Sequence, residues 1–246
     1  MNGNVEILPT SVALIHTAAE RIVSIVLESV RARGRAMIAL AGGSTPKKIY
    51  ALVGSGALRS KVSWENVQLF WGDERCVVSN DPESNFRMVN DSLLKNVSIP
   101  PQNVHRIKTE MNLVDAAREY EMEIRKSFHT PAGLPRFDLV LLGLGEDGHV
   151  ASLFPGTTAL DETGKLVTEV YVGRLNAFRV TLTLPVINNA HHVVFLVSGK
   201  GKSAVFSNIA RRTDLGYPAQ RVLPVAGELQ WLVDADAASA LTKDDR

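Results

Sequence analysis

The sequence of 246 residues predicts an α/β fold: an open, mostly parallel, doubly wound sheet with helices on both of its faces. Short apolar runs with the length of buried strands alternate with longer segments whose apolar residues recur at helical spacing. Several of the apolar runs also lead directly into glycine-rich loops, which is where an open α/β sheet places its binding sites. Because no internal repeat or linker interrupts this pattern, we expect a single domain over residues 1–246.

Eight apolar runs have the composition of strands. A run of four to eight mainly apolar residues between turn residues is typical of a strand that is buried in a sheet. In chain order, strands are predicted over residues 36–40, 67–71, 104–107, 139–142, 165–172, 179–184, 193–197 and 229–233, with a turn as the alternative for the last.

The segments between these runs predict helices. The most regular covers residues 11–33, where apolar side chains recur at steps of three and four. Thr10 or Ser11 can cap its N-terminus, and Gly34 follows its C-terminus. Pro46 suits the first position of the next helix. Further helices are predicted over residues 46–52, 85–94 and 112–128 and from the end of the 198–202 loop to about residue 211, with a helical turn over 185–190 and an alanine-rich helix near the C-terminus.

The composition is that of an ordinary globular protein, with 27 Lys and Arg against 26 Asp and Glu. A surface that binds a nucleic-acid backbone needs a marked basic excess, so we expect no nucleic-acid partner. No apolar run approaches the roughly 20 residues of a membrane span, and the N-terminus lacks the pattern of a secretory signal. The single cysteine, Cys76, favours a reducing compartment. We expect a cytoplasmic monomer or weak homodimer.

The first predicted strand leads into Gly42, Gly43, Ser44 and Thr45. Glycines allow the backbone to approach an anion, and the N–H groups that begin the following helix point towards it. The alternative is a tight turn with a serine N-cap, and residue chemistry alone does not separate the two. The loop lacks the Gly-Lys-Ser/Thr ending of a Walker A motif and the closing glycine of a nucleophile elbow.

The second predicted strand is followed by Asp73, Glu74 and Arg75. Acids beside an arginine most often form a surface ion pair, which contributes little to stability. The strand before them is apolar and therefore central, so we favour a different interpretation. One carboxylate and the guanidinium would face a polar substrate at the end of the strand.

The run at 139–142 leads into a loop with glycines at 143, 145 and 148 and with Asp147 and His149 among them. The glycine spacing matches the dinucleotide fingerprint, but the acids within the loop would repel a pyrophosphate. We expect a helix to begin near His149, which would favour the neutral imidazole that a general base requires. The alternative is that His149 only caps or packs. Its flanking aspartate and glycines favour a functional role.

The run at 193–197 leads into Ser198, Gly199 and Lys202. Together with Arg179, Lys202 could supply cations to the anion that the first loop holds. A solvated surface lysine is the alternative. Taken together, the four loops predict a site for a phosphorylated small molecule, with cations and backbone N–H groups at one end and an acid–base histidine at the other. No metal-ligand spacing occurs.

The same segments resemble the 6-phosphogluconolactonases, in the superfamily that they share with glucosamine-6-phosphate isomerases. The resemblance covers nearly the whole chain in order, and it rests on the motifs AGGSTPKKIY, WGDERCV, SNFRMVNDSLL, FDLVLLGLGEDGHVASLFPG, RVTLTLPVIN and FLVSGKGK. It implies a Rossmann-like fold. It also implies hydrolysis of 6-phospho-D-glucono-1,5-lactone to 6-phosphogluconate in the oxidative pentose phosphate pathway, with no metal and no cofactor.

The resemblance assigns roles to the candidate residues. His149 would be the base that deprotonates water, with Asp147 supporting it, and Arg75 would stabilise the oxyanion or the product carboxylate. Asp73 would position a sugar hydroxyl or Arg75. The phosphate would be held by Gly42, Gly43, Ser44 and Thr45, together with Arg179 and Lys202.

Three alternatives remain open from the sequence. A sugar-phosphate isomerase or deaminase is disfavoured because Phe154 stands where the isomerases carry a glutamate, and because Arg75 replaces their aromatic residue. A non-catalytic sugar-phosphate sensor would usually carry a DNA-binding appendage, for which the chain has no spare length. A nicotinamide dehydrogenase rests only on the glycine match.

Overall fold

The computed structural model describes residues 2–211 and 215–242. Within them, the chain forms ten strands and seven α-helices in the following order: β1 Asn4–Leu8, α1 Ser11–Arg33, β2 Ala36–Leu40, α2 Ser44–Val53, α3 Gly56–Lys61, β3 Val67–Trp71, β4 Asp73–Arg75, α4 Asn85–Ser92, β5 Val104–His105, α5 Leu113–Ser127, β6 Leu139–Leu142, β7 Val167–Val172, β8 Ala177–Leu182, α6 Leu184–Asn188, β9 His192–Val197, α7 Ser203–Ala210 and β10 Glu228–Asp234.

Seven strands form one parallel sheet in the order β1-β10-β9-β6-β2-β3-β5. This confirms the predicted fold class. The central strands β2 and β6 are buried at every residue, so both faces of the sheet are covered. The chain runs outwards from β2 in one direction and from β6 in the other. The boundary between β2 and β6 is therefore the topological switch point, where the loops that follow the two strands diverge and leave a crevice.

A second, smaller sheet was not predicted. Strands β4, β8 and β7 pair antiparallel in that order, separate from the large sheet. The segment 73–75, which the sequence predicts to be a loop, is thus a strand. Its three polar residues show no apolar alternation, and it becomes a strand because its backbone pairs with β8. The N–H of Leu182 also donates to the carbonyl of Gly72 at 2.8 Å, which ties this sheet to the end of β3.

The predicted bounds and caps of helix α1 are confirmed. The Thr10 hydroxyl accepts a hydrogen bond from the N–H of Ala13 at 3.1 Å, and Gly34 ends the helix in the left-handed region with φ 75°. Helix α2 begins at Ser44, two residues earlier than predicted, so Pro46 lies in its first turn rather than at its first position. The apolar side of α1 is buried, and α1 packs against both α2 and β10.

Two buried tyrosines hold the ends of β2 and β3. The Tyr50 hydroxyl accepts from the N–H of Ala41 at 3.0 Å and donates to its carbonyl at 2.9 Å. The Tyr120 hydroxyl does the same for Trp71, at 2.7 and 2.9 Å. Burial raises the pKa of both hydroxyls, so they stay protonated and keep both bonds. Each tyrosine therefore satisfies the backbone where a central strand gives way to a loop of the crevice.

Other differences lie at the ends of the chain and of its elements. Strand β1 was not predicted, and it pairs with β10 at one edge of the sheet. Residues 235–240 form turns, and 241–242 have no regular structure, rather than the predicted alanine-rich helix, whose remainder falls outside the described residues. Helix α4 ends at Ser92. Of the helices in the described part of the chain, none has the length and apolar character needed to span a membrane.

Candidate active site

A cavity of about 380 Å³ opens at the carboxyl ends of β2, β6 and β9, between the large sheet and the small one. The structure brings the predicted site residues together here. Nine of the ten line the cavity: Gly42, Gly43, Ser44, Thr45, Asp73, Arg75, His149, Arg179 and Lys202. The tenth, Asp147, lies behind His149 and contacts its ring. The volume is in the range of sites that enclose a small ligand.

The His149 imidazole and the Asp147 carboxylate form a hydrogen-bonded pair, with 2.5 Å between Nδ1 and Oδ1. A carboxylate can only accept here, so Nδ1 carries the proton and Nε2 carries the lone pair. The pair is packed closely over Gly145, since a Cβ on Gly145 would lie 1.9 Å from Nδ1. The loop therefore fixes the tautomer as well as the place of the ring.

No helix begins at His149, which contradicts the sequence prediction. The chain instead turns on itself, with Gly148 at φ 76° and Ala151 at φ 47°, and the N–H of Gly145 donates to the His149 carbonyl at 2.9 Å. The dinucleotide fingerprint requires its glycines to lead into a helix, and the glycines at 143, 145 and 148 do not. The glycines instead serve a tight loop around the imidazole.

Burial, rather than a helix dipole, keeps His149 neutral. It lowers the pKa of the imidazole, and the Asp147 carboxylate opposes this only in part. Burial would raise the pKa of Asp147, but the hydrogen bond and charge of His149 and the charge of Arg174 together lower it. At neutral pH the pair is thus a neutral imidazole beside a carboxylate, which is the combination that general-base catalysis requires.

Phe154 and Arg174 complete the surroundings of this pair. The Phe154 ring stacks on the imidazole, with 4.0 Å between centroids and 24° between planes. The Arg174 guanidinium lies over the Phe154 ring, 5.1 Å from its centroid, and binds Asp147 Oδ2 at 2.7 Å. Arg174 was missed by the sequence analysis. It lies between β7 and β8 in a 3₁₀ turn, and only the return of this hairpin brings it to Asp147.

The opposite side of the cavity offers hydrogen-bond donors. Helix α2 begins with Gly43 as its N-cap, without a side-chain hydrogen bond, and its first internal bond runs from the N–H of Lys47 to the Gly43 carbonyl. The N–H groups of Ser44 and Thr45 precede that bond and are directed out of the helix end. Gly42 must lack a side chain, because its Cβ would lie 2.0 Å from Asn85 Oδ1.

Two arginines of the small sheet face the same space. Arg75 on β4 lies directly opposite Arg179 on β8, although like charges in that register repel. Nε of Arg179 is buried without a hydrogen-bond partner. Burial, followed by the charge of Arg75, lowers the pKa of the Arg179 guanidinium. Two cations held side by side at the cavity are a site that an anion would stabilise. Lys202 adds a third cation from the loop before α7.

The two acids before Arg75 have separate roles. Asp73 lines the cavity, and its Oδ2 accepts a hydrogen bond from Ser152 Oγ at 2.6 Å. Glu74 points away and caps α4, accepting from the N–H groups of Asn85 and Phe86 at 2.7 Å each. Asp73 is therefore the carboxylate that faces a ligand. Ser152 and Asn85 also line the cavity, and no local sequence pattern singles out either residue.

Among the described residues, no group of three or more His, Cys, Asp or Glu side chains is arranged to hold a metal ion. The polar groups of the cavity are instead hydroxyls, backbone N–H groups, the Asn85 amide, three cations, one carboxylate and the imidazole. This set suits an anionic, hydroxyl-bearing small molecule.

The same chain matches known proteins over most of its length. Residues 9–231 match the family described as glucosamine-6-phosphate isomerases/6-phosphogluconolactonase. The chain belongs to this family. A family member from Synechocystis sp., a 6-phosphogluconolactonase, is 41% identical over 246 residues, which cover 98% of this chain and 99% of that protein. The 6-phosphogluconolactonase of Nostoc sp. is 38% identical over 247 residues, covering 98% and 100%.

A solved structure of the family agrees with the fold. The 6-phosphogluconolactonase from Trypanosoma cruzi superimposes on this chain with a TM-score of 0.86 at 30% identity, covering 98% of this chain and 97% of that one. The resemblance inferred from the motifs is thereby confirmed.

Proposed function

We propose that this family member hydrolyses 6-phospho-D-glucono-1,5-lactone to 6-phospho-D-gluconate in the oxidative pentose phosphate pathway, with His149 as the general base. The observation that carries the mechanism is the pairing of Asp147 with a buried, neutral His149 at a cavity that also holds three cations. The near-complete alignment with 6-phosphogluconolactonases supports the choice of substrate.

The reaction begins with a water molecule between the base and the lactone. Nε2 of His149 takes a proton from the water as its oxygen attacks C1, and Asp147 stabilises the imidazolium that forms. The carbonyl oxygen becomes an oxyanion, which Arg75 stabilises. The bond from C1 to the ring oxygen then breaks, and the ring oxygen takes the proton from the imidazolium to become the C5 hydroxyl. The carboxylic acid formed at C1 loses its remaining proton to solvent, and the product carboxylate remains beside Arg75.

The phosphate of the substrate binds at the end of the cavity formed by Gly42, Gly43, Ser44 and Thr45. Backbone N–H groups at the start of α2 and the two hydroxyls donate to its oxygens, while Arg179 and Lys202 neutralise its charge. Asp73, fixed by Ser152, accepts a hydrogen bond from a sugar hydroxyl.

Phe154 supports hydrolysis over isomerisation. The resemblance places a glutamate at this position in the isomerases, where it would take part in moving protons along the sugar. Here an apolar ring is stacked on the imidazole. A phenyl ring cannot transfer a proton, so the histidine is left with water as its partner.

We also propose that the enzyme forms one domain and works in the cytoplasm as a monomer or weak homodimer, without nucleic acid. The formal net charge of +1 and the single, exposed Cys76 support this setting.

The experiment that tests the function uses freshly generated 6-phosphogluconolactone, because the lactone also opens on its own. We expect the protein to accelerate its disappearance well above the spontaneous rate and to release no ammonia from glucosamine 6-phosphate. Release of ammonia without accelerated lactone hydrolysis would contradict the proposal and favour the deaminase.

A further inference from the structure

Arg174 contacts two of the groups that surround the histidine. Its guanidinium binds Asp147 Oδ2 at 2.7 Å, while Asp147 Oδ1 accepts a hydrogen bond from His149 Nδ1 at 2.5 Å. The same guanidinium lies over the face of Phe154, whose ring stacks on His149. With the Asp147–His149 hydrogen bond and the stacking of Phe154 on His149, these contacts form a closed ring of four side chains.

The hairpin that carries Arg174 is braced at its tip. The Tyr171 hydroxyl donates to Asn176 Oδ1 at 2.8 Å, and Tyr171 packs on Phe178 with 4.8 Å between ring centroids. Asn176 takes the left-handed conformation, with φ 45°, that reverses the chain. The turn that presents Arg174 is therefore held from both of its strands.

The ring of contacts leaves the carboxylate little freedom to rotate. A carboxylate held at one oxygen alone can swing about its χ2 bond, which would break or bend the bond to Nδ1. With Arg174 on Oδ2 and the imidazole on Oδ1, both oxygens have fixed partners. Phe154 closes one face of the imidazole, and the backbone of Gly145 leaves no room beneath it.

The geometry assigns Arg174 as a positioning residue: it fixes the Asp147 carboxylate, and through it the orientation and protonation of His149. The assignment rests on the proposed role of His149 as the base. Arg174 does not reach the reacting atoms, and it acts through Asp147 and Phe154. The small sheet and its hairpin then supply Arg174 to the histidine pair, Arg75 to the oxyanion and Arg179 to the phosphate.

The charges around His149 determine in which direction its pKa changes when Arg174 is replaced. Asp147 on its own loop and Asp73 on β4 both favour the imidazolium, whereas Arg174 on the hairpin disfavours it. The cavity is further lined by Arg75, Arg179 and Lys202. Removing the charge of Arg174 therefore raises the pKa of His149, and it also leaves Asp147 with no competing cation. A larger fraction of the base is then protonated at a given pH below neutrality.

The test compares Arg174→Gln with Arg174→Lys and with a matched control. Arg221→Gln removes an arginine that binds Asp161 at 2.8 Å with similar exposure, away from the cavity. For Arg174→Gln we expect the acid limb of the kcat/KM profile to move to higher pH, with about a two- to fivefold loss at about pH 6 and a smaller one in alkali. Arg174→Lys should restore part of the loss, and Arg221→Gln should match the parent.

A second readout is independent of activity. The pKa of His149 is measured by NMR in each variant, with its signal assigned from the spectrum of His149→Asn. A raised pKa in Arg174→Gln, restored towards the parent in Arg174→Lys, supports the assignment. This pKa result would support the assignment of Arg174 even if His149→Asn retained activity. Retained activity in His149→Asn would instead overturn the role of His149 as the base. An unchanged pKa together with a pH-independent loss, or no loss, in Arg174→Gln would overturn the assignment.

Discussion

Gly145→Ala tests whether catalysis depends on the place of the imidazole. The new Cβ would lie 1.9 Å from His149 Nδ1 and 2.5 Å from Asp147 Oδ1. The ring would have to move by about 1.5 Å to restore an ordinary contact of 3.4 Å. A misplacement of about 1 Å can cost about 100-fold in rate, so we expect kcat to fall by about that factor or more. Gly145 has no left-handed backbone to strain, and the fold should persist.

The measurement is the rate of lactone hydrolysis above the spontaneous rate, with circular dichroism and a melting curve to check the fold. Gly164→Ala is the matched control, since its Cβ would meet nothing closer than 3.5 Å and lies outside the cavity. It should keep the parent's turnover. If folded Gly145→Ala stays within about threefold of the parent, less than 1 kcal/mol in the barrier, the imidazole is not acting from this position.

Two further predictions concern binding and stability. Arg179→Ala combined with Lys202→Ala should weaken calorimetric binding of 6-phosphogluconate by about tenfold or more, because charged hydrogen bonds to the phosphate are lost. Binding of unphosphorylated gluconate should change far less, and equal weakening would refute the phosphate assignment. Tyr50→Phe should lower the free energy of unfolding by about 2 kcal/mol or more in urea, because the buried N–H and carbonyl of Ala41 both lose their partner. Tyr171→Phe, at an exposed site, is its control, and a similarly small loss for both would contradict the role of Tyr50.

The elements with strong periodicity could be predicted from the sequence, because their signal is local. Helix α1 has a long apolar stripe and caps at both ends, and β2, β3 and β6 are continuous apolar runs between turns. Strand β4 could not be predicted in the same way. Its polar residues become a strand only through pairing with β8, a hundred residues further along the chain.

The residues of the candidate site likewise differ in whether a local sequence pattern could identify them. The loop residues Ser44 and His149 could be identified because each follows an apolar strand and lies among glycines. Arg174 could not, since an arginine in a hairpin turn is usually solvated and its partner Asp147 is distant in sequence. The expected helix at His149 failed for a local reason. Gly148 and Ala151 take positive φ, and the loop closes on itself before a helix can form.

His149→Asn tests the central claim most directly, because asparagine is close in size to the imidazole and can hydrogen-bond but cannot act as a base at neutral pH. We predict that kcat for 6-phosphogluconolactone falls by about 10²–10⁴, the contribution of a general base, while the affinity for 6-phosphogluconate stays near that of the parent. Turnover close to the parent's, in a protein with an unchanged circular dichroism spectrum, would show that His149 is not the base.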